Sequence, residues 1–361
     1  MMKLRGNRAA DRAKLATRRG IGSLEFVREA GMIAGLALVL IQAYSAWSDQ
    51  QFAAAPNAEQ AAEADNNSQP IYRVFATPTE DCWVLQTNLK AIRRNTETGK
   101  EVERLDFPGL GMTALSFDRK GERAIAISFQ QELLVFGHET VESLGHFNPE
   151  QLVLDVTITP GGDWASSLHS KGLVFIHSIR DMKTVRQFRT FSHAVAHVFS
   201  PDGERLAVGG ENGDVGVFQR DGRLIAKSMA TSRSRVGTLA WSPDGRLLAT
   251  GDSEGFVELF DATTGVRLAS RQAIDLMVPA IVFSPDGKRL AVGSFDKNIH
   301  ILDTEDLVEV DRLEGHRALV RCLTVLPSGD LVSGGLDGRT IRWPRGEWAE
   351  PIRDLIQTVS L

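Results

Sequence analysis

Three residue types that together can run acyl transfer stand near the end of the 361-residue chain. They are an imidazole base, a hydroxyl nucleophile and an orienting carboxylate: His316, Ser333 and Asp337, followed by Trp343. His169, His177, His193 and His197 form a second group, and two or three convergent imidazoles can bind a metal. The only cysteines are Cys82 and Cys322. Neither lies in a C-x-x-C pair, so a structural zinc site has no thiolate set. The run Gly-Gly-Glu-Asn-Gly-Asp (209–214) has the composition of a phosphate loop. However, no helix follows it to point amide dipoles at an anion. No paired carboxylates and no nucleophile elbow occur at useful spacing.

What these residues can do depends on the elements that carry them, and those elements repeat. FDRKGERAIAIS starts at Phe117, ITPGGDWASSLH at Ile158, FSPDGERLAVGG at Phe199, WSPDGRLLATGD at Trp241 and FSPDGKRLAVGS at Phe283. VLPSGDLVSGG at Val325 is the same pattern one residue shorter. The turn glycines are Gly121, Gly162, Gly203, Gly245, Gly287 and Gly329, at spacings of 41 and 42. A further step back reaches Glu80 inside ATPTEDCWVLQT, which makes seven units. Each unit reads as four short strands, the first two joined at a Pro-Asp-Gly type of turn. Four strands about every 41 residues is the arithmetic of a β-propeller blade. The fold class expected is all-β, a seven-bladed β-propeller over 71–357.

The columns of this repeat bear on the chemistry. Six residues before each turn stand Val74, Leu115, Val156, His197, Leu239, Ile281 and Leu323. Four before stand Ala76, Phe117, Ile158, Phe199, Trp241, Phe283 and Val325, the period-two apolar pattern that blade-on-blade packing needs. His177 takes a third-strand position held elsewhere by Phe136, Phe218, Phe260, Leu302 and Trp343, so it reads as a packed core ring. His197, in an otherwise apolar column, is either a satisfied core histidine or a group placed near the axial channel. Eight before the turns stand Tyr72, Thr113, Leu154, Val195, Gly237, Pro279 and Arg321. They form no ligand set, so no metal and no cofactor is expected.

The last unit, EGHRALVRCLTVLPSGDLVSGGLDGRTIRWP (314–344), resembles the tryptophan–aspartate (WD) repeat family. Gly315-His316 stands where that family has its Gly-His pair. Ser333, Asp337 and Trp343 match the other members of its hydrogen-bonded tetrad. The resemblance covers all seven units and thins toward the N-terminus, with Phe260-Asp261 and Leu302-Asp303 as partial terminal dipeptides. It implies that the Ser, His and Asp types bond one another to pin a loop to the strands, and that no catalytic residue and no enzyme activity is expected. WD propellers commonly close by letting an N-terminal strand complete the last blade. Here the last fourth strand is expected from the C-terminus, near Glu350–Ile356. Cys82 in blade one and Cys322 in blade seven then lie in neighbouring blades of the closed ring. They are either two separate buried thiols or, outside the cytoplasm, a possible disulfide.

The 70 residues before the first strand have another character. Net charge is −5, yet residues 1–29 carry eight Lys/Arg against three acids, leaving −10 on the rest. An acidic body argues against nucleic acid as a partner. Between Glu29 and Asp49 lie nineteen uncharged residues, AGMIAGLALVLIQAYSAWS, long enough to span a bilayer as a helix over 30–48. The basic flank 1–29 places the N-terminus in the cytoplasm and the propeller across an inner (cell) membrane, in the periplasm of a bacterium. An uncleaved signal anchor is the favoured reading; cleavage after Ala53-Ala54-Ala55 is the alternative. Residues 49–70 read as a linker without a core.

In a propeller the loops before the first strand and those between the second and third strands share one rim. That rim is expected to carry Arg233, Arg235, Lys297, Arg317 and Arg321, with Glu211, Asp214, Asp252 and Glu254, as a docking face for protein partners in a membrane complex. The alternatives are an enzyme or cofactor-binding propeller and a ligand sensor.

Overall fold

The computed structural model describes residues 70–349, except 80, 87–90, 106–111, 129–130, 138–140, 147–151, 192 and 231. The basic segment 1–29, the span 30–48 and the linker 49–69 lie outside the described residues, as does 350–357. Among the described residues no helix is long and apolar enough to cross a membrane.

The repeat folds as seven antiparallel meanders. Blade one is β1 (Ile71–Ala76), β2 (Asp81–Gln86), β3 (Ala91–Asn95) and β4 (Glu101–Leu105). Blade two is β5 (Met112–Phe117), β6 (Ala124–Ser128), β7 (Glu132–Phe136) and β8 (Val141–His146). Blade three is β9 (Val153–Ile158), β10 (Trp164–His169), β11 (Leu173–Ser178) and β12 (Lys183–Arg189). Blade four is β13 (Ala194–Phe199), β14 (Arg205–Gly210), β15 (Asp214–Gln219) and β16 (Leu224–Met229). Blade five is β17 (Val236–Trp241), β18 (Leu247–Asp252), β19 (Phe256–Asp261) and β20 (Arg267–Gln272). Blade six is β21 (Ala280–Phe283), β22 (Arg289–Gly293), β23 (Asn298–Asp303) and β24 (Glu309–Glu314). Blade seven has β25 (Val320–Val325), β26 (Leu331–Gly335) and β27 (Thr340–Trp343), then the helical turn α1 (Arg345–Trp348). Within each sheet the strands follow chain order.

The turns form for local reasons. All six turn glycines have φ between +67° and +90°, which a Cβ would strain. In the Ser-Pro-Asp-Gly turns the serine hydroxyl donates to the Asp carboxylate, at 2.6 Å for both Ser242–Asp244 and Ser284–Asp286. The same oxygens accept the N–H of Leu247 and Arg289 at 2.9 Å, closing the hairpins.

The alternation of each strand then divides its side chains between two neighbours. In β14, Leu206 and Val208 join the core shared with blade three, while Ala207 joins the core shared with blade five. The described residues hold seven such cores, one per blade interface. The seventh closes the ring, with Ile71, Val74, Cys82 and Val84 of blade one against Cys322, Leu326 and Val332 of blade seven. Across this seam the Ala76 N–H donates to Thr324 Oγ1 at 3.3 Å and Arg342 donates to Thr96 Oγ1 at 3.0 Å.

Cys82 and Cys322 are both buried and both free thiols. Burial pushes each thiol up to about 12. They share the seam core, as the sequence expects of neighbouring blades, without a bond between them.

Six of the seven first strands or their partners shift register at the same place, between residues seven and nine before the turn. These bulges turn the intervening residue out of the ladder. Leu154 is left exposed there, and Arg321 half-buried. In blade six Pro279, which lacks an N–H for the ladder, holds that position just before β21.

Candidate functional site

The residues with catalytic types come together in blade seven. Asp337 sits in the β26–β27 connection, and His316 in the loop before β25. His316 Nδ1 lies 3.0 Å from Asp337 Oδ2, and His316 Nε2 lies 2.7 Å from Ser333 Oγ on β26. The Trp343 indole N–H on β27 donates to the same Ser333 oxygen at 2.8 Å. Burial alone would raise the Asp337 carboxyl. The His316 hydrogen bond and the Arg317 amide outweigh it and hold the group below the usual carboxylate range. An ionised Asp337 only accepts, so His316 donates from Nδ1 and its Nε2 accepts the Ser333 hydroxyl. The bonds therefore run in one direction, from Trp343 through Ser333 and His316 to Asp337.

These distances also suit a nucleophilic triad, but the surroundings do not. Ser333 is fully buried, and its oxygen already accepts from Trp343. An electrophile has no approach to it. Asp337 meanwhile accepts the amides of Arg317 at 2.8 Å and Arg339 at 3.1 Å, so the constellation pins two loops.

A model of the WD domain G-beta repeat matches residues 275–303 and 307–343, and a model of the anaphase-promoting complex subunit 4 WD40 domain matches 197–275. The chain is a WD-repeat β-propeller. No curated protein matches it.

The other blades of this WD-repeat ring replace the tetrad with arrangements of their own. In blade three, Ser167 stands where Ser333 stands in blade seven, and His177 replaces the tryptophan. Ser167 Oγ lies 2.8 Å from both His177 Nε2 and His169 Nε2, and His177 Nδ1 lies 3.0 Å from Thr184 Oγ1. His169 thus supplies from within β10 what His316 supplies from a loop. Ser167, His169 and His177 are all fully buried. Burial, with His169 beside it, pushes His177 down to about 3, so its ring is neutral at neutral pH. His177 is a packed core ring as expected; its polar partners were not legible in the sequence.

In blade five Ser232 donates to Asp252, whose other oxygen accepts the amides of Glu254 and Phe256 at 2.9 Å. Asp252 is thereby buried, a departure from the expected place on the rim surface. In blade six buried His300 lies between Asp296 at 3.0 Å and Glu309 at 3.2 Å. Desolvation opposes ionisation of both carboxyls. The Asn298 amide and the Ser294 hydroxyl hold Asp296 low, Arg312 holds Glu309 low, and His300 adds to both.

His197 is the satisfied core histidine. Its Nδ1 lies 3.0 Å from Asp155 on β9 and its Nε2 lies 3.3 Å from the Ser166 carbonyl. Arg73 of β1 reaches Asp155 at 3.6 Å and donates to the Leu115 carbonyl at 3.3 Å. Burial would raise the Asp155 carboxyl, but the His197 bond and charge, with Arg73, hold it low. Blades one to four are thus cross-braced near the axis. The four histidines grouped in the sequence do not meet at one point: His193 faces Glu211 at 3.8 Å, while His169 and His177 share Ser167. Among the described residues no group of three His, Cys, Asp or Glu is placed to hold a metal.

The expected rim loops do meet. Arg235 O accepts the Ser253 amide at 3.0 Å, His193 O the Glu211 amide at 2.8 Å and Leu319 O the Leu336 amide at 3.0 Å. Arg233, Arg235 and Arg317 are exposed, and Lys297 and Arg321 are half-buried. Arg235 lies 3.5 Å from Glu211, and Lys227 lies 3.2 Å from Asp214. Sequence reasoning missed Leu276 and Met277, exposed on the β20–β21 loop, which packs on the β18–β19 turn at Gly255.

Proposed function

We propose that the WD-repeat ring is a docking scaffold for protein partners, with the loop rim as its contact face. The observation that carries this reading is a contrast in saturation. The buried Ser, His and Asp constellations spend their hydrogen bonds on one another. The rim, by contrast, exposes Arg233, Arg235 and Arg317, and the β20–β21 loop exposes Leu276 and Met277. Exposed arginine and large apolar side chains are types that protein interfaces favour. WD-repeat propellers generally mediate protein–protein interactions and are usually non-catalytic. We further propose that residues 30–48 anchor the ring in an inner membrane, with the ring on the periplasmic side. The uncharged span and its basic flank support this part.

The test is a crosslinked pull-down from solubilised membranes with the full chain and with Arg233→Glu/Arg235→Glu/Arg317→Glu. A stoichiometric partner captured by the first and lost by the second, with unchanged melting, is expected. Equal capture by both overturns the rim assignment. A reporter active only when exported, fused after the ring, checks the orientation independently.

A further inference from the structure

Charge is unevenly spread over the outer strands of the ring. β12, β16 and β20 form the outer edges of blades three, four and five, and none of them carries an acid. Their cations are Lys183, Arg186 and Arg189 on β12, Lys227 on β16, and Arg267 and Arg271 on β20, all exposed. With the connections that lead into these strands (179–189, 220–229 and 262–272), nine Lys/Arg stand against two Asp, on a chain whose net charge is −5. Charged residues on open strands guard against edge pairing. The outer edges of blades one and six are guarded with acids instead: 96–105 holds three Glu to two cations, and 304–314 holds five acids to one Arg. Edge protection therefore does not account for the sign. The three basic segments also expose Val185, Leu224, Met229, Val266 and Leu268, half of the exposed large apolar side chains among the described residues.

The three strands are stepped against one another as one belt. The turn that opens β16 rests on β12: Arg186 Nε donates to the Asp221 carbonyl at 3.0 Å, and a Cβ on Gly222 would lie 2.7 Å from the Phe188 ring. The turn that opens β20 rests on β16, where a Cβ on Gly265 would lie 2.9 Å from the Lys227 carbonyl oxygen. Two of the cations meet carboxylates, Lys227 at 3.2 Å from Asp214 and Arg267 at 3.5 Å from Glu258, and the belt stays net positive.

We propose that this belt is a contact surface for anionic lipid headgroups, which lays the side of the ring against a bilayer. Its cations are spread over three blade edges rather than gathered in a cleft. Long exposed Lys and Arg side chains can follow a fluid anionic surface, which has no fixed register to match, and the apolar side chains interleaved with them suit the headgroup boundary. Such a surface repels the acidic remainder of the ring, so contact through the belt also sets the orientation. This contact rests on the anchoring proposed for 30–48, which keeps the ring beside a bilayer, and it is separate from the loop rim.

Fluorescence quenching by a headgroup-borne nitroxide tests it, with the full chain in nanodiscs of phosphatidylcholine, with or without phosphatidylglycerol. Cys82 and Cys322 are buried, so a dye goes to an introduced cysteine, Gln187→Cys on the belt or Lys100→Cys on blade one. In anionic discs the dye at 187 is expected to be quenched about threefold more than the dye at 100. The excess is expected to vanish in neutral discs, in salt of about 1 M, and in Lys183→Glu/Arg189→Glu/Arg271→Glu with unchanged melting. Equal quenching at the two sites in anionic discs overturns the proposal, as does an excess that persists in neutral discs. An excess that survives the triple variant overturns it too; if that variant instead loses a partner in the pull-down, the belt is a protein site. A chain that salt washes out of neutral vesicles overturns the anchor alone. The belt is then read by flotation of that chain with anionic vesicles, which the triple variant must weaken about tenfold, and unchanged flotation overturns it.

Discussion

Asp337 accepts at once from the His316 ring and from the amides of Arg317 and Arg339. Replacing it by alanine leaves three donors without their acceptor, and the His316 ring loses the partner that sets its tautomer. Asp337→Ala is expected to lower stability by about 1–3 kcal/mol, read as a shifted urea midpoint. An unchanged midpoint would show that the tetrad holds nothing. At this scale the sequence was legible only where a residue stood in a familiar column. His316, Ser333, Asp337 and Trp343 could be named because all four kept their places. The Ser167 pairings and the Ser232–Asp252 bond could not. Their partners sit on different elements from those of blade seven, and a bond between strands needs the register, which side-chain types do not reveal.

At the scale of the element, the close approach at Gly334 decides how blade seven meets blade one. A Cβ there would lie 2.6 Å from Ile71 Cγ2 and 2.8 Å from Cys322 Sγ. Gly334→Ala is therefore expected to cost about 1–3 kcal/mol by overpacking the seam. Gly346→Ala, in α1 with nothing within 4 Å of the added methyl, is the matched control and should melt as the parent does. Strand boundaries and turn positions were largely readable, because a glycine every 41 or 42 residues and apolar columns at period two leave one solution. The bulges were not, since the extra residue is as varied as Leu154, Gly237 and Arg321. The short third strand of blade seven was hidden as well: Pro344 stops the strand, and nothing in RGEW announces a turn that buries Trp348.

For the whole molecule, acid and base act on different parts of the ring. Asp155, Asp296, Glu309 and Asp337 are held low in the fold, so their contribution is present above the ordinary carboxylate range, about 4. It is lost as pH falls through their folded values. Asp118, raised by burial despite its backbone hydrogen bonds, works in the opposite sense and offsets a part. The thiols raised to about 12 add stability below about 8.5 that disappears as pH climbs toward 12. The urea midpoint should be highest between about pH 5 and 8 and fall on both sides. A midpoint that rises on acidification to about pH 3 would contradict this reading of the carboxylates.

The seven interblade cores include one between the first blade and the last. A single backbone cut between blades four and five, in the loop at 232–235, would therefore release nothing. The two pieces would still grip each other through the core at the cut and through the core at the seam. A clasp with two catches opens only when both let go. New chain ends at 232–235 are accordingly expected to leave a folded ring.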